Sequence, residues 1–177
     1  MTVNTILYFI EELFRILSQI GWLFVLVLGY LFARWQFKFQ SAHERRLEVI
    51  EEAYSKLKLV SISFRSLTSP LQEAIDFDEE EKKKEKDLVE KVNDTLVYLD
   101  TKRLFFSNEE QKNIDAITNK FFQTWNNYRY KKDIKDDRFM IKERSRLYKE
   151  VWESASKEIP GLISSLETVF KKALRLK

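Results

Sequence analysis

Hydrophobic residues recur at intervals of three and four along most of this chain, which is the spacing of one face of an α-helix. The most regular run extends from Leu47 to Leu67, and no linker separates it from the residues before it. The chain contains 3 Gly and 2 Pro, which leaves few positions for the turns of a sheet protein. The pattern therefore predicts an all-α protein.

Local signals predict where the first helices end and begin. Ser69 suits an N-cap and Pro70 suits the first position of a helix, so the long helix should stop there and a second one should start. The second helix is expected to loosen around residues 76–78 and to resume as far as Leu99.

The later helices have signals of their own. Ser107–Glu110 has the form of a capping box, which predicts a third helix. A fourth should start near Asp136 or Asp137 and reach Pro160-Gly161, where we expect a kink or a break before a last amphipathic stretch. Together these helices predict an antiparallel four-helix bundle over residues 36–177.

The first 35 residues have a different composition and predict a membrane anchor. Their only charged residues are Glu11, Glu12, Arg15 and Arg34. The uncharged run 20–33 would span about 21 Å as a helix, against a hydrocarbon core of about 30 Å. Extended back to residue 9 it is long enough to cross, so residues 1–35 are predicted to be a transmembrane helix that continues into the bundle. A buried core helix remains the alternative.

The charges that flank this run predict its orientation. Arg34, Lys38 and the pair 45–46 follow it, whereas the two glutamates precede it. By the positive-inside rule the C-terminal domain should lie in the cytoplasm of a bacterium, with the anchor in its inner membrane.

A polar stripe precedes the apolar run, at spacings of 4, 3, 4, 3 and 4 residues, and comprises Asn4, Tyr8, Glu11, Arg15, Ser18 and Trp22. One interpretation is an amphipathic segment that lies along the lipid headgroups. The other is that several copies associate and turn the stripe towards an aqueous lumen, because ionisable groups at membrane depth usually face water or one another. The second interpretation makes these six residues pore-lining.

The composition excludes most catalytic chemistry within one subunit. There is no Cys, and His43 is the single His, so disulfides, zinc sites and most catalytic triads cannot be assembled. No Gly-rich phosphate loop is present. We therefore predict a protein that is not an enzyme, with no cofactor, no metal and no small-molecule substrate.

A basic stretch from residue 129 to residue 149 is the best candidate for binding RNA or anionic lipid, because aromatic residues interleave its cations. The candidate contacts are Arg129, Lys131, Lys132, Lys135, Arg138, Lys142, Arg144 and Arg146.

A membrane helix fused to a four-helix bundle rich in Lys, Asn and Asp resembles the small HEPN-like membrane accessory proteins of type VI-B CRISPR loci. HEPN ribonucleases carry an Arg followed after four to six residues by a His. Here Arg103 is followed by Asn108 in the place of the His. Asn cannot act as a general acid or base near neutral pH, so these two residues would mark a degenerate, non-cleaving site.

The resemblance implies an accessory protein that strengthens RNA-guided antiviral defence. It would act at the inner membrane as a homo-oligomeric, pore-like assembly that permeabilises or depolarises the membrane. Its partners would be copies of itself, the lipid bilayer and an RNA-guided CRISPR effector or the RNA of that effector. The alternative is a membrane-tethered degenerate HEPN ribonuclease, or an RNA-binding adaptor, without pore activity.

Overall fold

The computed structural model describes residues 3–69, 78–134 and 140–174, and within residues 3–20 it describes the side chains of residues 8, 11, 12, 14 and 15 only. All regular structure in these ranges is helical, which confirms the predicted all-α class. In chain order the elements are α1 (Val3–Leu67), α2 (Asp78–Thr101), a 3₁₀ turn (Arg103–Phe105), α3 (Asn108–Asp133), α4 (Ile141–Glu153), a π-helical turn (Ser154–Glu158) and α5 (Ile159–Leu174).

The chain divides into two compact units, residues 1–45 and residues 46–177. Helix α1 contributes residues to both. We call the first the N-terminal unit and the second the bundle unit.

Within the bundle unit, α1 and α2 run antiparallel. The Tyr98 hydroxyl donates to the Val49 carbonyl at 3.3 Å, and the Lys91 ammonium donates to the Ser63 hydroxyl at 3.1 Å. From the first contact to the second, the residue number increases in α1, from 49 to 63, and decreases in α2, from 98 to 91. The two helices therefore point in opposite directions.

Helix α3 and the last helical segment are antiparallel as well. The rings of Phe106 and Phe170 stack at 6.3 Å near one end of the bundle, and Lys120 pairs with Glu158 at 2.5 Å further along. A short connection between α2 and α3 reverses the chain there too. The bundle unit is therefore an up-down-up-down arrangement in which α4, the π-turn and α5 form the fourth helix.

Apolar side chains from all four helices form one core, as the periodicity predicts. The fully buried ones include Leu57, Val60, Leu88, Ile117, Ile159 and Leu166. Each such side chain contributes roughly 1.5–3 kcal/mol through removal of apolar surface from water.

Several predicted helix ends are confirmed. Helix α1 ends at Leu67, where both the amide and the hydroxyl of Thr68 donate to the Phe64 carbonyl. Ser107 caps α3 and forms the expected capping box with Glu110. The predicted starts at Pro70 and at residues 136–137 lie outside the described residues.

Of the kink or break predicted at Pro160-Gly161, the break is not present, because the chain stays helical from Ile141 to Leu174. A π-helical turn precedes Pro160 instead, and the amide of Ile159 donates to the carbonyl of Ser154. A proline ring clashes with the carbonyl four residues earlier in a regular helix. A wider turn at this point accommodates the ring without ending the helix.

Candidate functional site

The most unusual surface of the N-terminal unit is a stretch of α1 that we call the apolar segment, residues 21–39. Every residue in it is exposed. Its large apolar side chains are between 53% and 76% exposed, and they are Trp22, Leu23, Phe24, Val25, Leu26, Val27, Leu28, Tyr30, Leu31, Phe32, Trp35, Phe37 and Phe39. Successive residues of a helix point about 100° apart, so between residues 21 and 33 these side chains cover all sides of it, whereas Arg34 and Lys38 add charge to its last part. A helix that is apolar all round is typical of burial in a protein core or in a membrane.

Within the described residues, no helix combines the length and the apolarity needed for a membrane span. The span predicted from the sequence also draws on residues 9, 10, 13 and 16–20, whose side chains lie outside the described set.

The polar stripe falls on α1, since that helix covers residues 4–22 without interruption. Tyr8, Glu11, Arg15 and Trp22 are exposed, whereas the side chains of the other two stripe residues, 4 and 18, lie outside the described set. Arg15 pairs with Glu12 at 2.9 Å. An exposed pair of this kind contributes little to stability, and it leaves both charges accessible on the helix surface.

Aromatic rings form a ladder along one side of the apolar segment. The centroids of Phe32 and Trp35 are 6.3 Å apart, those of Trp35 and Phe39 5.8 Å, and those of Phe39 and His43 6.3 Å. The His43 imidazole therefore stacks on an aromatic ring at the end of this ladder and is exposed, as expected for a surface histidine.

The bundle unit contains a buried ion pair that the sequence did not reveal. Glu110 has a fully buried side chain and accepts two hydrogen bonds from one Arg46 guanidinium nitrogen, at 2.9 and 3.1 Å. The same carboxylate accepts the backbone amide of Ser107 at 2.6 Å. Arg46 also donates to the Phe105 carbonyl at 3.2 Å. The pair joins the start of the bundle part of α1 to the start of α3.

A second polar cluster surrounds Tyr128, which is buried between α2 and α3. Its hydroxyl lies 2.5 Å from Glu81 and 2.9 Å from Glu85, and Lys132 pairs with Glu85 at 2.5 Å. Burial raises the pKa of the Tyr128 phenol well above its ordinary value, and the hydrogen bonds to the two carboxylates raise it further. A phenol held neutral in this way acts as a hydrogen-bond donor that bridges two helices.

The basic stretch forms contacts within the protein. Lys132 is part of the Tyr128 cluster, and Lys131 lies over the rings of Tyr128 at 5.3 Å and Tyr148 at 4.9 Å. Arg146 pairs with both Glu143 and Glu150, and Arg144 is half-buried. Of the remaining candidates, Arg129 and Lys142 are exposed, whereas 135 and 138 lie outside the described residues. Intramolecular partners thus neutralise part of the charge that made this stretch a candidate for RNA or anionic lipid.

Arg103 and Asn108 lie at the connection between α2 and α3, and both are exposed. The Arg103 guanidinium contacts the Gln111 side-chain carbonyl at 3.4 Å, and Asn108 is the first residue of α3. The local hydrogen bonds are those of a capped helix start, which accounts for this sequence pattern without any catalytic role.

The described part of the chain holds no cluster of three or more His, Asp and Glu side chains able to bind a metal ion. No protein-family model, curated protein or solved structure matches this chain. The apolar segment and the polar stripe are the features of the described residues that bear most directly on function.

Proposed function

We propose that this chain is a non-enzymatic protein of the bacterial inner membrane, anchored by the N-terminal part of α1 and carrying the helical bundle on the cytoplasmic side. The observation that carries the proposal is the exposure of apolar side chains on every side of the helix across residues 21–33. Contiguous apolar surface of this kind is rare on soluble monomers and marks contact with lipid or with protein.

The energetics favour lipid as the main environment. Between Trp22 and Phe32 the helix presents eight Leu, Val and Phe side chains, and each contributes roughly −0.3 to −0.6 kcal/mol to membrane insertion, or about −2 to −5 kcal/mol together. Tyr30 and Trp35, at the basic end of the segment, supply the amphipathic rings that settle at the headgroup level.

We further propose that several copies associate through this helix. Glu11 and Arg15 are exposed on the same helix as the apolar segment. If the segment enters a bilayer, charged groups near its start require water or one another, and an assembly that turns them towards a shared lumen meets that requirement. The resemblance described above adds two elements to this proposal, a pore-like activity and an accessory role in RNA-guided defence.

Membrane anchoring is tested with a matched pair of double variants on one helix. Leu26→Asp/Val27→Asp places two carboxylates in the apolar segment, at a cost of about 5–7 kcal/mol against insertion, which exceeds the gain estimated above. Leu59→Asp/Ile62→Asp is the control, because those residues are exposed apolar positions of α1 in the bundle unit. After a carbonate wash, the first variant should be lost from the membrane fraction, whereas the second should remain in it. Equal retention of both variants would refute the anchor.

Assembly is tested by the mass of the detergent-extracted particle and by ion leakage from vesicles. A discrete particle of about six or more subunits is expected, because a smaller assembly does not enclose a lumen, and Glu11→Leu/Arg15→Leu should abolish leakage while insertion persists. A monomer or dimer without leakage would refute the assembly and leave a tethered adaptor. Cleavage of labelled RNA by the pure protein, lost in Arg103→Ala, would instead establish the ribonuclease alternative.

A further inference from the structure

The connection between α2 and α3 presents a leucine to solvent. Leu104 is the middle residue of the 3₁₀ turn and is 98% exposed. Lys102 and Arg103 precede it directly in the chain. A single exposed leucine is common on protein surfaces. A role in binding would require the surrounding backbone to hold this side chain in its exposed position.

Several hydrogen bonds fix that backbone. The Gln111 side-chain amide donates to the carbonyls of Arg103 at 3.1 Å and Phe106 at 2.9 Å. The Arg46 guanidinium donates to the Phe105 carbonyl at 3.2 Å. The turn is therefore preorganised, and it holds the Leu104 side chain outward rather than against the core.

The position of the turn in the bundle unit adds a second observation. Arg46, which contacts it, is the first residue of that unit. Arg46 lies seven positions after Phe39, the end of the apolar segment, so the chain can place the two at most about 25 Å apart. A bilayer that accepts the apolar segment is thus within reach of this end of the bundle.

The charges around the turn suit an anionic surface. The two cations are one and two residues from Leu104, whereas the nearest carboxylates, Asp100 and Glu109, are four and five residues away. The stacking of Phe106 on Phe170 brings the end of α5, with its exposed lysines 171 and 172, to the same end of the bundle. Lys171 pairs with Glu167 at 2.7 Å, so the cations beside Leu104 carry most of this complementarity.

We propose that Leu104 inserts into the headgroup layer of an anionic membrane, with Lys102 and Arg103 bound to lipid phosphates. The turn then forms a second, peripheral contact that fixes the bundle end against the bilayer. An apolar tip beside basic side chains matches the chemistry of this layer, since the aliphatic group reaches the acyl boundary while the cations stay among the headgroups. This inference rests on the proposed membrane anchoring.

The chain has no Cys, so a single cysteine can carry an environment-sensitive fluorophore at a chosen position. We would label Leu104→Cys, Val27→Cys in the apolar segment and Val97→Cys, an exposed position of α2, in the full-length protein. Each is reconstituted into phosphatidylcholine vesicles with and without about 30% phosphatidylglycerol, a model of an anionic leaflet. Emission wavelength and quenching by aqueous iodide are then compared.

In anionic vesicles the probe at 104 should emit at shorter wavelength than the probe at 97. Its iodide quenching constant should be lower by a factor of at least about three, as expected for a group 5–10 Å into the interface. Adding Lys102→Ala/Arg103→Ala should reverse much of the shift. A protected probe at 27 with a probe at 104 as accessible as that at 97 would overturn this inference and leave the anchor intact.

The other outcomes are equally decisive. Accessible probes at both 27 and 104 would overturn the anchor, and the inference with it. Protection at 104 that is the same in both vesicle types, and that disappears when the protein is diluted in lipid, would indicate contact with a second copy of the chain and would overturn the lipid assignment.

Discussion

Removing the charge of Arg46 should destabilise the bundle more than removing the charge of Glu110, although the two groups form one ion pair. The Glu110 side chain is fully buried, whereas that of Arg46 is 31% exposed. In Arg46→Met the carboxylate keeps only the Ser107 amide as a donor, and a buried charge without its partner costs about 3–5 kcal/mol. In Glu110→Gln the guanidinium keeps partial contact with water, and we expect a loss of about 1–2 kcal/mol.

The double variant makes the expectation sharper. Arg46→Met/Glu110→Gln contains no unpaired buried charge, so it should be more stable than Arg46→Met alone by roughly 2 kcal/mol, within the range of coupling energies between contacting residues. The added substitution thus rescues the first one. The measurement is urea unfolding of the full-length protein in mild detergent, followed by far-UV circular dichroism.

Arg146→Met is the matched control for this cycle. Arg146 also forms ion pairs, with Glu143 and Glu150, but it does so on the exposed surface of α4. Its loss should leave the unfolding curve almost unchanged. If the effects of the Arg46 and Glu110 substitutions simply add, the unpaired charge is not the source of the instability and the reasoning fails.

Three further predictions concern the bundle. Burial raises the pKa of Tyr98 to about 12 and that of Tyr128 above its ordinary range, so the unfolded chain loses these protons at lower pH than the folded protein does. The free energy of unfolding should therefore fall from about pH 10 upward, by up to about 1.4 kcal/mol per pH unit for each phenol. Tyr128→Phe should make this fall less steep in urea titrations at alkaline pH. Ile117→Ala in the core should cost about 3 kcal/mol in urea unfolding, whereas Val97→Ala on the surface should change stability by less than about 0.5 kcal/mol, and similar losses would contradict the assigned core. Ser107→Ala removes the cap of α3 and should cost about 1 kcal/mol, and an unchanged unfolding midpoint would show that the cap is dispensable.

Features that depend on neighbours along the chain could be predicted from the sequence. The end of α1 at Leu67 and the capping box that starts at Ser107 are confirmed because a cap bonds to residues three or four positions away. The buried faces are confirmed for the same reason, since helical periodicity is a local property. The form of the irregularity near Pro160 was not predicted, because a proline signals that the regular ladder fails but not which turn replaces it.

The Arg46–Glu110 pair could not be predicted in this way because its members lie 64 positions apart in the chain. In the sequence Glu110 is the last residue of the capping box, which already gives its carboxylate a partner. Arg46 is one of several cations that follow the apolar run, which gives it a topological role in the positive-inside rule. Each residue had a sufficient local explanation, and only the packing of α3 beside α1 shows that they bind each other.

The basic stretch shows the opposite effect, in which a count along the chain overstates the positive charge that the fold leaves accessible. Between residues 129 and 149 the chain counts nine cations and four carboxylates, which indicates a positive surface. The count omits carboxylates that other helices bring in, such as Glu85, which pairs with Lys132. Such pairs direct side chains inward and reduce the charge available to a polyanion. Fewer cations lie beside Leu104. The turn there, however, holds its leucine in solvent, and Gln111 and Arg46 bind the carbonyls of the turn. The turn is therefore a stronger candidate than the basic stretch for contact with an anionic surface.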